Sequence, residues 1–309
     1  MQDTTVHILM ATYQGARYLP KQLASIEAQQ GVVWKLWVSD DGSTDSTLDL
    51  LHAFAQAHPG HVHLLKGPGL GAARHFGTLI HAVQGLGTGD LVAFCDQDDV
   101  WLPGKLARAA HWHAARAMPG RPCLYMARTV VTDEALHPLY LSRRPRRLGL
   151  GNALVENAAS GNTMVLNAAL LQAVRRIRPE HMVLHDWSTY LAATACGGEL
   201  TYDERPCLLY RQHGGNVVGA RPGWKQRIKR LWELGKGNYR EWGQATEGAL
   251  ADLEPLLATA GVSAAASYRK VRHGASVLER LRQARRAGLR RQRRLAQAGL
   301  LGAVALGLL

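Results

Sequence analysis

Three carboxylates follow one apolar segment of the sequence. The run DLVAFCD (90–96) is typical of a buried strand, and it leads directly into Asp96, Asp98 and Asp99. Like charges this close together repel one another, so the cluster is unfavourable without a positive partner. Hard divalent cations such as Mg²⁺ bind one or two protein carboxylates together with phosphate oxygens of a substrate. The segment therefore indicates a metal–diphosphate site; a solvated acidic turn in which Asp99 caps the next helix is the alternative.

Two further polar clusters follow the first and second predicted strands. Thr12 and Tyr13 end the first strand, VHILMATY, and Asp40 and Asp41 end the second, WKLWVSDD. The Gly42 turn beside them is ordinary loop chemistry, but it does not explain two adjacent acids at this position. A carboxylate there can accept hydrogen bonds from a base N–H or from ribose hydroxyls. Because ligands of open α/β sheets bind at the carboxyl ends of the strands, these residues are candidates for one shared site.

A glycine-rich segment, GPGLGAARHFG, precedes the third predicted helix. It lacks the Gly-Lys-Ser/Thr ending of a phosphate-binding P-loop. It also follows the third strand, whereas a dinucleotide-binding fingerprint follows the first. Arg74 in this segment is a candidate contact for a diphosphate, with a solvated surface arginine as the alternative.

Strands and helices alternate with short connections between residues 6 and 117. The predicted strands are 6–13, 34–41, 61–67 and 90–96. The helices predicted after the second, third and fourth strands are 45–58, 71–86 and 103–117. The last of these helices has Pro103 in its first turn, where proline is favoured. This alternation predicts an α/β fold with a mostly parallel sheet covered by helices on both faces.

Beyond residue 120 the alternation loosens. The sequence predicts strands at 123–131 and 161–167, followed by helices at 168–177 and 185–196. Two short strands are predicted within 199–216. Residues 224–296 are rich in Ala, Arg and Leu and are predicted to be mostly helical.

The charge of the chain is concentrated near its C-terminus. The net charge is +13. Residues 1–220 hold 19 Lys and Arg against 18 Asp and Glu, whereas residues 221–309 hold 18 against 6. This asymmetry indicates two parts with different roles. The four cysteines show no paired spacing, so a zinc site or disulfide framework is not expected, and the N-terminus lacks the pattern of a signal peptide. We therefore expect a cytoplasmic protein.

Six segments, in this order, resemble the family 2 inverting glycosyltransferases, and most of all the rhamnosyltransferase-like subgroup that builds bacterial surface polysaccharides such as O-antigen. They are ILMATYQGARYLPKQLASI, WVSDDGSTDST, AFCDQDDVWLPGKL, GNTMVLN, HDWSTYL and YRQHGGNVVG. The resemblance covers about residues 5–220. It implies a GT-A fold, a nucleotide-diphospho-sugar donor and a divalent cation, Mg²⁺ or Mn²⁺.

The resemblance also implies roles by position. Asp98 matches the main metal ligand, and Asp96 matches a ligand that also lies near the ribose. Asp186 matches the catalytic base, while an ordinary helix N-cap is the alternative. Together with Arg74, the expected donor-binding residues are Thr12, Tyr13, Asp40, Asp41, Asp96, Arg211 and His213. The family often has Asn where Gln14 stands, which would alter the geometry of that loop.

The chemistry of an inverting transfer is consistent with these roles. A single displacement at the anomeric carbon needs one base for the acceptor hydroxyl and a cation for the departing diphosphate. It does not need the second carboxylate that a retaining glycosidase uses as a nucleophile. One acidic cluster and one distant carboxylate, Asp186, meet that demand.

The C-terminal segment has its own pattern. Residues 280–294 carry eight arginines and no acid, and the apolar residues 295–309 follow. As a helix, those last residues would span about 22 Å, which is short of the roughly 30 Å core of a bilayer. A basic segment beside an apolar one favours association with an anionic membrane face. The alternative is a solvated helix with the last helix packed on the domain or on a second subunit. Without interleaved aromatic residues, the segment does not indicate nucleic-acid binding.

The sequence therefore predicts a GT-A domain at 1–220 and a helical, Arg-rich extension at 221–309. The predicted function is metal-dependent transfer of a sugar to a lipid-linked or polysaccharide acceptor at the inner face of the cytoplasmic membrane. L-Rhamnose from dTDP-rhamnose is the donor sugar that the resemblance favours. A non-catalytic nucleotide-sugar-binding protein of the same fold, or a nucleotidyltransferase, is the alternative.

Overall fold

A computed structural model describes residues 4–69, 72–116, 118, 120–213 and 239–309. The chain divides into two compact units. The first consists of 1–144, 159–175 and 198–212, and the second consists of 145–158, 176–197 and 213–309. The predicted boundary at residue 220 lies outside the described residues. The second unit is nevertheless larger than the predicted extension, because two earlier segments belong to it.

One sheet of nine described strands organises the first unit. The strands are β1 (Thr5–Thr12), β2 (Val33–Asp40), β3 (Val62–Lys66), β4 (Leu91–Asp96), β5 (Val100–Trp101), β6 (Cys123–Thr132), β7 (Pro138–Leu141), β8 (Val165–Asn167) and β9 (Glu199–Arg211). Their order is β3-β2-β1-β4-β8-β6-β9-β5, and β7 pairs with β6. The first four strands in this order are parallel, as the alternating sequence predicts. β8 then pairs antiparallel with both β4 and β6.

The helices of the first unit cover this sheet. They are α1 (Leu19–Glu27), α2 (Thr47–Ala57), α3 (Ala72–Ala82), α4 (Lys105–Ala114) and α6 (Ala168–Arg176). On one side, Val6, Ile8 and Met10 of β1 share a buried core with Leu19 and Ile26 of α1. The buried residues of β1 point to both faces of the sheet, as expected for a parallel strand between two layers of helices.

Two local predictions were wrong. Residues 199–211 form one long strand instead of two short ones, although Pro206 has no N–H to donate to a ladder. The register between β9 and β6 shifts around Arg128 and Pro206, so the strand continues past the proline. The helix predicted from Pro103 begins at Lys105, because Gly104 precedes it with a left-handed φ of 77°.

The second unit is helical in the part that the structure describes. Its helices are α5 (Leu150–Ala153), α7 (His185–Ala195), α8 (Tyr239–Asp252), α9 (Thr259–His273), α10 (Val277–Arg286) and α11 (Arg294–Leu306). Trp187 of α7 lies in its core, where the indole N–H donates to the carbonyl of Ala153 over 2.6 Å and the ring meets Trp242 edge to face. Over the described ranges, no helix has both the length and the hydropathy needed to cross a membrane.

Candidate active site

The parallel strands bring three of the predicted residues to one edge of the sheet. β1 lies between β2 and β4, and the register pairs Thr12 with Asp40 and Ala11 with Asp96. The Thr12 hydroxyl donates to Asp40 Oδ2 over 2.9 Å. The carboxyl ends of three neighbouring strands therefore meet at the position where open α/β sheets bind ligands.

Asp40 organises the loop that follows β2. Its Oδ1 accepts the N–H groups of Gly42 (3.1 Å) and Ser43 (2.7 Å), and its Oδ2 accepts the Ser43 hydroxyl (2.7 Å) as well as Thr12. The side chain is buried. Such bonds to residues two and three positions ahead hold a tight turn. Asp40 therefore holds the loop after β2 in a fixed conformation.

Asp41 connects this loop with the segment that follows β3. Its N–H donates to the Thr12 carbonyl over 2.9 Å, and its Oδ1 accepts the N–H of Gly69 over 2.6 Å. The close approach requires a glycine at position 67, where a Cβ atom would lie 2.6 Å from the Asp40 carbonyl oxygen. The half-buried Asp41 side chain thus lies where the β1, β2 and β3 loops converge.

Gln14 links the loops after β1 and β2. Its φ of 49° lies in the left-handed region, where asparagine is more common than glutamine. The Gln14 N–H donates to Ser43 Oγ and the side-chain amide to Thr44 Oγ1, both over 2.8 Å, while its carbonyl oxygen accepts the Asp45 N–H. These bonds offset the backbone strain and show how this loop accommodates the longer side chain.

Gln97 joins the acidic segment after β4 to the loop after β1. Its Oε1 accepts the Tyr13 N–H and its Nε2 donates to the Tyr13 carbonyl, each over 2.9 Å. Gly15 makes this pairing possible, because a Cβ atom there would lie 2.3 Å from Gln97 Oε1. The Tyr13 ring itself is 57% exposed. Its backbone is thus held while its ring faces solvent.

We expect Gly15→Ala to destabilise the fold by about 1 kcal/mol, because the new methyl group displaces the amide that makes two hydrogen bonds. In a Gln97→Ala background the same change should have almost no effect, since the clashing atoms are gone. Urea unfolding of the four proteins measures this coupling. Equal costs of Gly15→Ala in both backgrounds would contradict the proposed linkage.

Asp99 lies beneath the acidic segment. The alternative in which it caps a helix in solvent is wrong, since its side chain is fully buried and α4 begins six residues later. Oδ2 accepts the side-chain amide of Asn162, and Oδ1 accepts the Arg211 N–H over 3.4 Å. Burial raises the pKa of Asp99 well above its usual value, and the charges of Asp96 and Asp98 raise it further. Asp99 thus anchors the segment from below.

Lys105 is a second buried charge behind the same segment. Its Nζ donates to the Asn162 carbonyl over 2.6 Å and lies 3.3 Å from the centroid of the Trp101 ring. Burial lowers the pKa of Lys105 to about 8. A cation of this kind, near Asp96 and Asp99, partly balances the acidic cluster from inside the protein.

Arg211 holds the acidic segment from the end of β9. Its Nε donates to the Asp98 carbonyl over 2.9 Å, and its Nη1 donates to the Glu134 carbonyl. The guanidinium also lies over the Tyr18 ring, 4.8 Å from its centroid, a geometry that favours a cation. The structure therefore places this buried side chain as a brace for the backbone of Asp98.

Asp96 and Asp98 are half-buried, in contrast to Asp99. The residues around them fix their backbone through Gln97, Asn162 and Arg211. Within the described ranges, no group of three or more His, Cys, Asp or Glu side chains is arranged to hold a metal ion. The carboxylates of Asp96 and Asp98, on a loop whose backbone is held in place, are thus the candidate protein ligands of a metal ion.

Asp186, the predicted base, belongs to the second unit. It is the second residue of α7, and Leu184 occupies the N-cap position, so the reading of Asp186 as the N-cap is wrong. One carboxylate oxygen, Oδ1, accepts the N–H of Trp187 over 2.7 Å. The half-buried carboxylate is held at the start of a helix whose following residues are buried.

The structure gives little information on two of the predicted donor-binding residues, Arg74 and His213. Arg74 lies in α3, but its side chain is outside the described residues. His213 is half-buried and follows β9 by two positions. Their roles stay predictions.

Comparison with known proteins identifies the family. The model of glycosyl transferase family 2 matches residues 7–119, which begin within β1 and include β2 to β5 and the acidic segment. The dTDP-rhamnosyl transferase RfbG of Shigella flexneri is 30% identical over 257 residues, covering 79% of this chain and 85% of that protein. The chain belongs to glycosyl transferase family 2. It is therefore a glycosyltransferase, as the motifs predict, and the nucleotidyltransferase alternative is set aside.

Solved structures show that this glycosyltransferase has the GT-A fold. S. aureus TarS in complex with UDP-GlcNAc aligns with a TM-score of 0.55 at 13% identity, covering 92% of this chain and 91% of that chain. GalNAc-T7 with UDP, GalNAc and Mn²⁺ aligns with a TM-score of 0.54 at 11% identity, covering 80% of this chain and 51% of that chain. The predicted fold class is thus confirmed.

Sequence reasoning missed three supporting residues of the glycosyltransferase. Asn162 donates to Asp99, Lys105 donates to the carbonyl of Asn162, and Gln97 holds Tyr13. All three lie inside segments that carry the family resemblance, GNTMVLN and AFCDQDDVWLPGKL, so the resemblance marked their positions although it did not show their roles. Asn162 and Asp99 are 63 residues apart, and no local pattern predicts such a contact.

Proposed function

We propose that this glycosyltransferase moves a sugar, with inversion, from a nucleotide-diphosphate donor to a glycan or lipid-linked acceptor in a reaction that depends on Mg²⁺ or Mn²⁺. The observation that carries the proposal is the register of β2, β1 and β4. It sets Thr12, Asp40 and Asp96 side by side at one edge, next to a loop braced by Arg211.

The acidic segment suits a divalent cation. Asp96 and Asp98 offer carboxylate oxygens, the ligands that Mg²⁺ and Mn²⁺ prefer, and phosphate oxygens of the donor would complete the coordination. Burial is the main cause of the raised pKa of Asp99, and the charges of Asp96 and Asp98 add to it; a bound cation would relieve the repulsion between these acids. When bound, the metal would supply charge stabilisation for the departing diphosphate. Mn²⁺ in the solved GalNAc-T7 structure supports the same choice.

The residues on the β1 and β2 side would hold the nucleoside. Tyr13 presents an exposed ring at the sheet edge, and an aromatic ring of this kind can stack on a base. Asp41 lies at the convergence of three loops, and Asp40 and Thr12 keep that region rigid. Arg211 acts by positioning Asp98, while Arg74 and His213 are kept as candidate contacts for the diphosphate.

Asp186 would take the proton from the acceptor hydroxyl as the sugar is transferred. Its carboxylate is anchored through one oxygen on the Trp187 N–H, which fixes its direction at the start of α7. The similarity to the dTDP-rhamnosyl transferase of Shigella flexneri supports dTDP-rhamnose as the donor, and a bacterial surface polysaccharide is the product that the sequence motifs favour.

Calorimetric titration of the purified protein with dTDP and with UDP tests this proposal. We expect one of the two to bind in the presence of Mn²⁺ and to lose most of its affinity when EDTA removes the metal. The nucleotide that binds also identifies the donor class. Equal affinity with and without metal would overturn the metal assignment. The absence of binding by a folded protein would overturn both the site and the choice of nucleotides.

A further inference from the structure

Helix α11 is apolar on both of its sides. Leu300, Ala303 and Val304 are buried and pack the helix onto the second unit. The opposite half of α11 is exposed and consists, apart from Arg294, of Leu295, Ala298, Gly299, Leu301, Gly302 and Leu306. A helix that is apolar all round is normally buried on every side. The outer half of α11 therefore lacks the polar residues expected of a surface that faces water.

The exposure of this half is large. Leu295 is 89% exposed and Leu306 is 73% exposed. They are eleven residues apart, so at 3.6 residues per turn they lie on the same stripe of the helix. Between them, no atom of the described residues, apart from the backbone of α11 itself, lies within 4 Å of where a Cβ would stand at Gly299 or Gly302. In the part of the chain that the structure describes, this stripe is exposed at Leu295, Gly299, Gly302 and Leu306, and we name it the outer face of α11.

Exposed arginines lie at the start of α11 and on α10. Arg293 and Arg294 stand at the start of α11, directly before Leu295, and Arg290 lies one turn earlier in the chain. Three more arginines on α10 are exposed, at positions 282, 285 and 286. None of these six forms an ion pair with an acid in the part of the chain that the structure describes. Arg293 and Arg294 thus place positive charge directly beside Leu295, at the start of the outer face.

The arrangement of α10 and α11 is fixed by another arginine. Arg280 of α10 donates from Nε to the Val304 carbonyl over 3.0 Å and from Nη2 to the Ala305 carbonyl over 2.6 Å. Its Nη1 donates to the Gly274 carbonyl over 2.8 Å. These bonds satisfy the last carbonyls of α11 with a cation, which favours that end of the helix. They also hold the outer face in a defined orientation within the second unit.

We propose that the outer face of α11 lies in the surface of an anionic bilayer. The distance from Leu295 to Leu306 is about 17 Å at 1.5 Å per residue, too short to cross the hydrocarbon core. Such a helix lies in the interface, with its leucines among the acyl chains and nearby arginines at the anionic headgroups. The positive charge favours a lipid surface over a second copy of this chain, because two equally basic faces repel each other.

This docking requires neither donor nor metal. Only its purpose, to hold the enzyme where a lipid-linked acceptor is found, rests on the proposed function. The two proposals can therefore fail separately.

Co-sedimentation of the full-length protein with vesicles tests the docking. We expect binding to vesicles of phosphatidylcholine and phosphatidylglycerol, weaker binding at high salt, and little binding to phosphatidylcholine alone. The affinity of the double variant Leu295→Glu/Leu306→Glu for these vesicles should be lower by about tenfold or more. Both positions are exposed, so its melting temperature should be unchanged.

Two control variants separate the possible outcomes. Leu139→Glu/Leu141→Glu places the same two charges at exposed leucines of β7 and should bind vesicles like the wild type. Asp98→Ala should also bind them normally, whatever its effect on catalysis. Wild-type binding by Leu295→Glu/Leu306→Glu, or equal binding to both lipid compositions, would overturn the proposal. A third result would also overturn it: the wild type is a dimer that does not bind vesicles, and the double variant is a monomer. A second copy of the chain would then cover the outer face.

Discussion

Asp98→Ala should abolish metal-dependent donor binding and lower kcat/KM for sugar transfer by about a hundredfold or more, because it removes the carboxylate expected to hold the cation. The fold should survive, since the contact of Asp98 with Arg211 uses the backbone carbonyl, which alanine retains. Removing one of three neighbouring acids also lessens the repulsion on Asp99. Calorimetry with nucleotide and Mn²⁺, together with a thermal melt, measures both effects.

Asp49→Ala is the matched control for this variant. Asp49 is an exposed acid in the first turn of α2, in the same unit, and its removal should leave binding and turnover unchanged. If Asp98→Ala bound nucleotide with the same metal dependence as the wild type, the cation would have to be held elsewhere. If Asp98→Ala instead lost its thermal stability, Asp98→Asn would provide a variant that keeps the volume of the side chain.

Asp186→Asn should lower kcat by about 10²- to 10⁴-fold while donor affinity stays the same, because the change removes only the proton acceptor. Asparagine keeps an oxygen that can accept the Trp187 N–H at 2.7 Å, so the start of α7 should be preserved. Single-turnover transfer to an acceptor and calorimetric titration of the donor measure the two parameters separately.

Glu180→Gln is the control for Asp186→Asn. Glu180 is exposed, belongs to the same unit and pairs only loosely with Arg178, at 3.5 Å. Its replacement should not change kcat. If Asp186→Asn kept the kcat of the wild type, another group would have to be the catalytic base. A joint loss of donor binding would show instead that Asp186 shapes the site.

The strand ends show how far sequence patterns can be used. Short apolar runs separated by helical segments predict βαβ units, and βαβ units place the carboxyl ends of parallel strands at one edge. Thr12, Asp40 and Asp96 could therefore be assigned to one site without coordinates. The boundaries of the N-terminal elements were also close, because capping and turn residues mark them locally.

The support beneath this site was decided only by tertiary structure. Asp99 and Lys105 both lie in segments that look like polar loop and helix start, and both side chains are buried. Burial of a charge depends on neighbours from distant parts of the chain, here Asn162 and Arg211. Arg211 is likewise far in sequence from the groups it contacts. No local pattern could therefore predict that it donates to the Asp98 and Glu134 carbonyls.

The C-terminal helices show the same division. Composition and periodicity by themselves determined that this part of the chain is helical, basic and apolar at its end, because these are properties of local residue content. They could not determine which half of α11 packs inward, since both halves are apolar. Only the folded second unit, with Leu300 and Val304 inside and Leu295 and Leu306 outside, decided which surface is left for a partner.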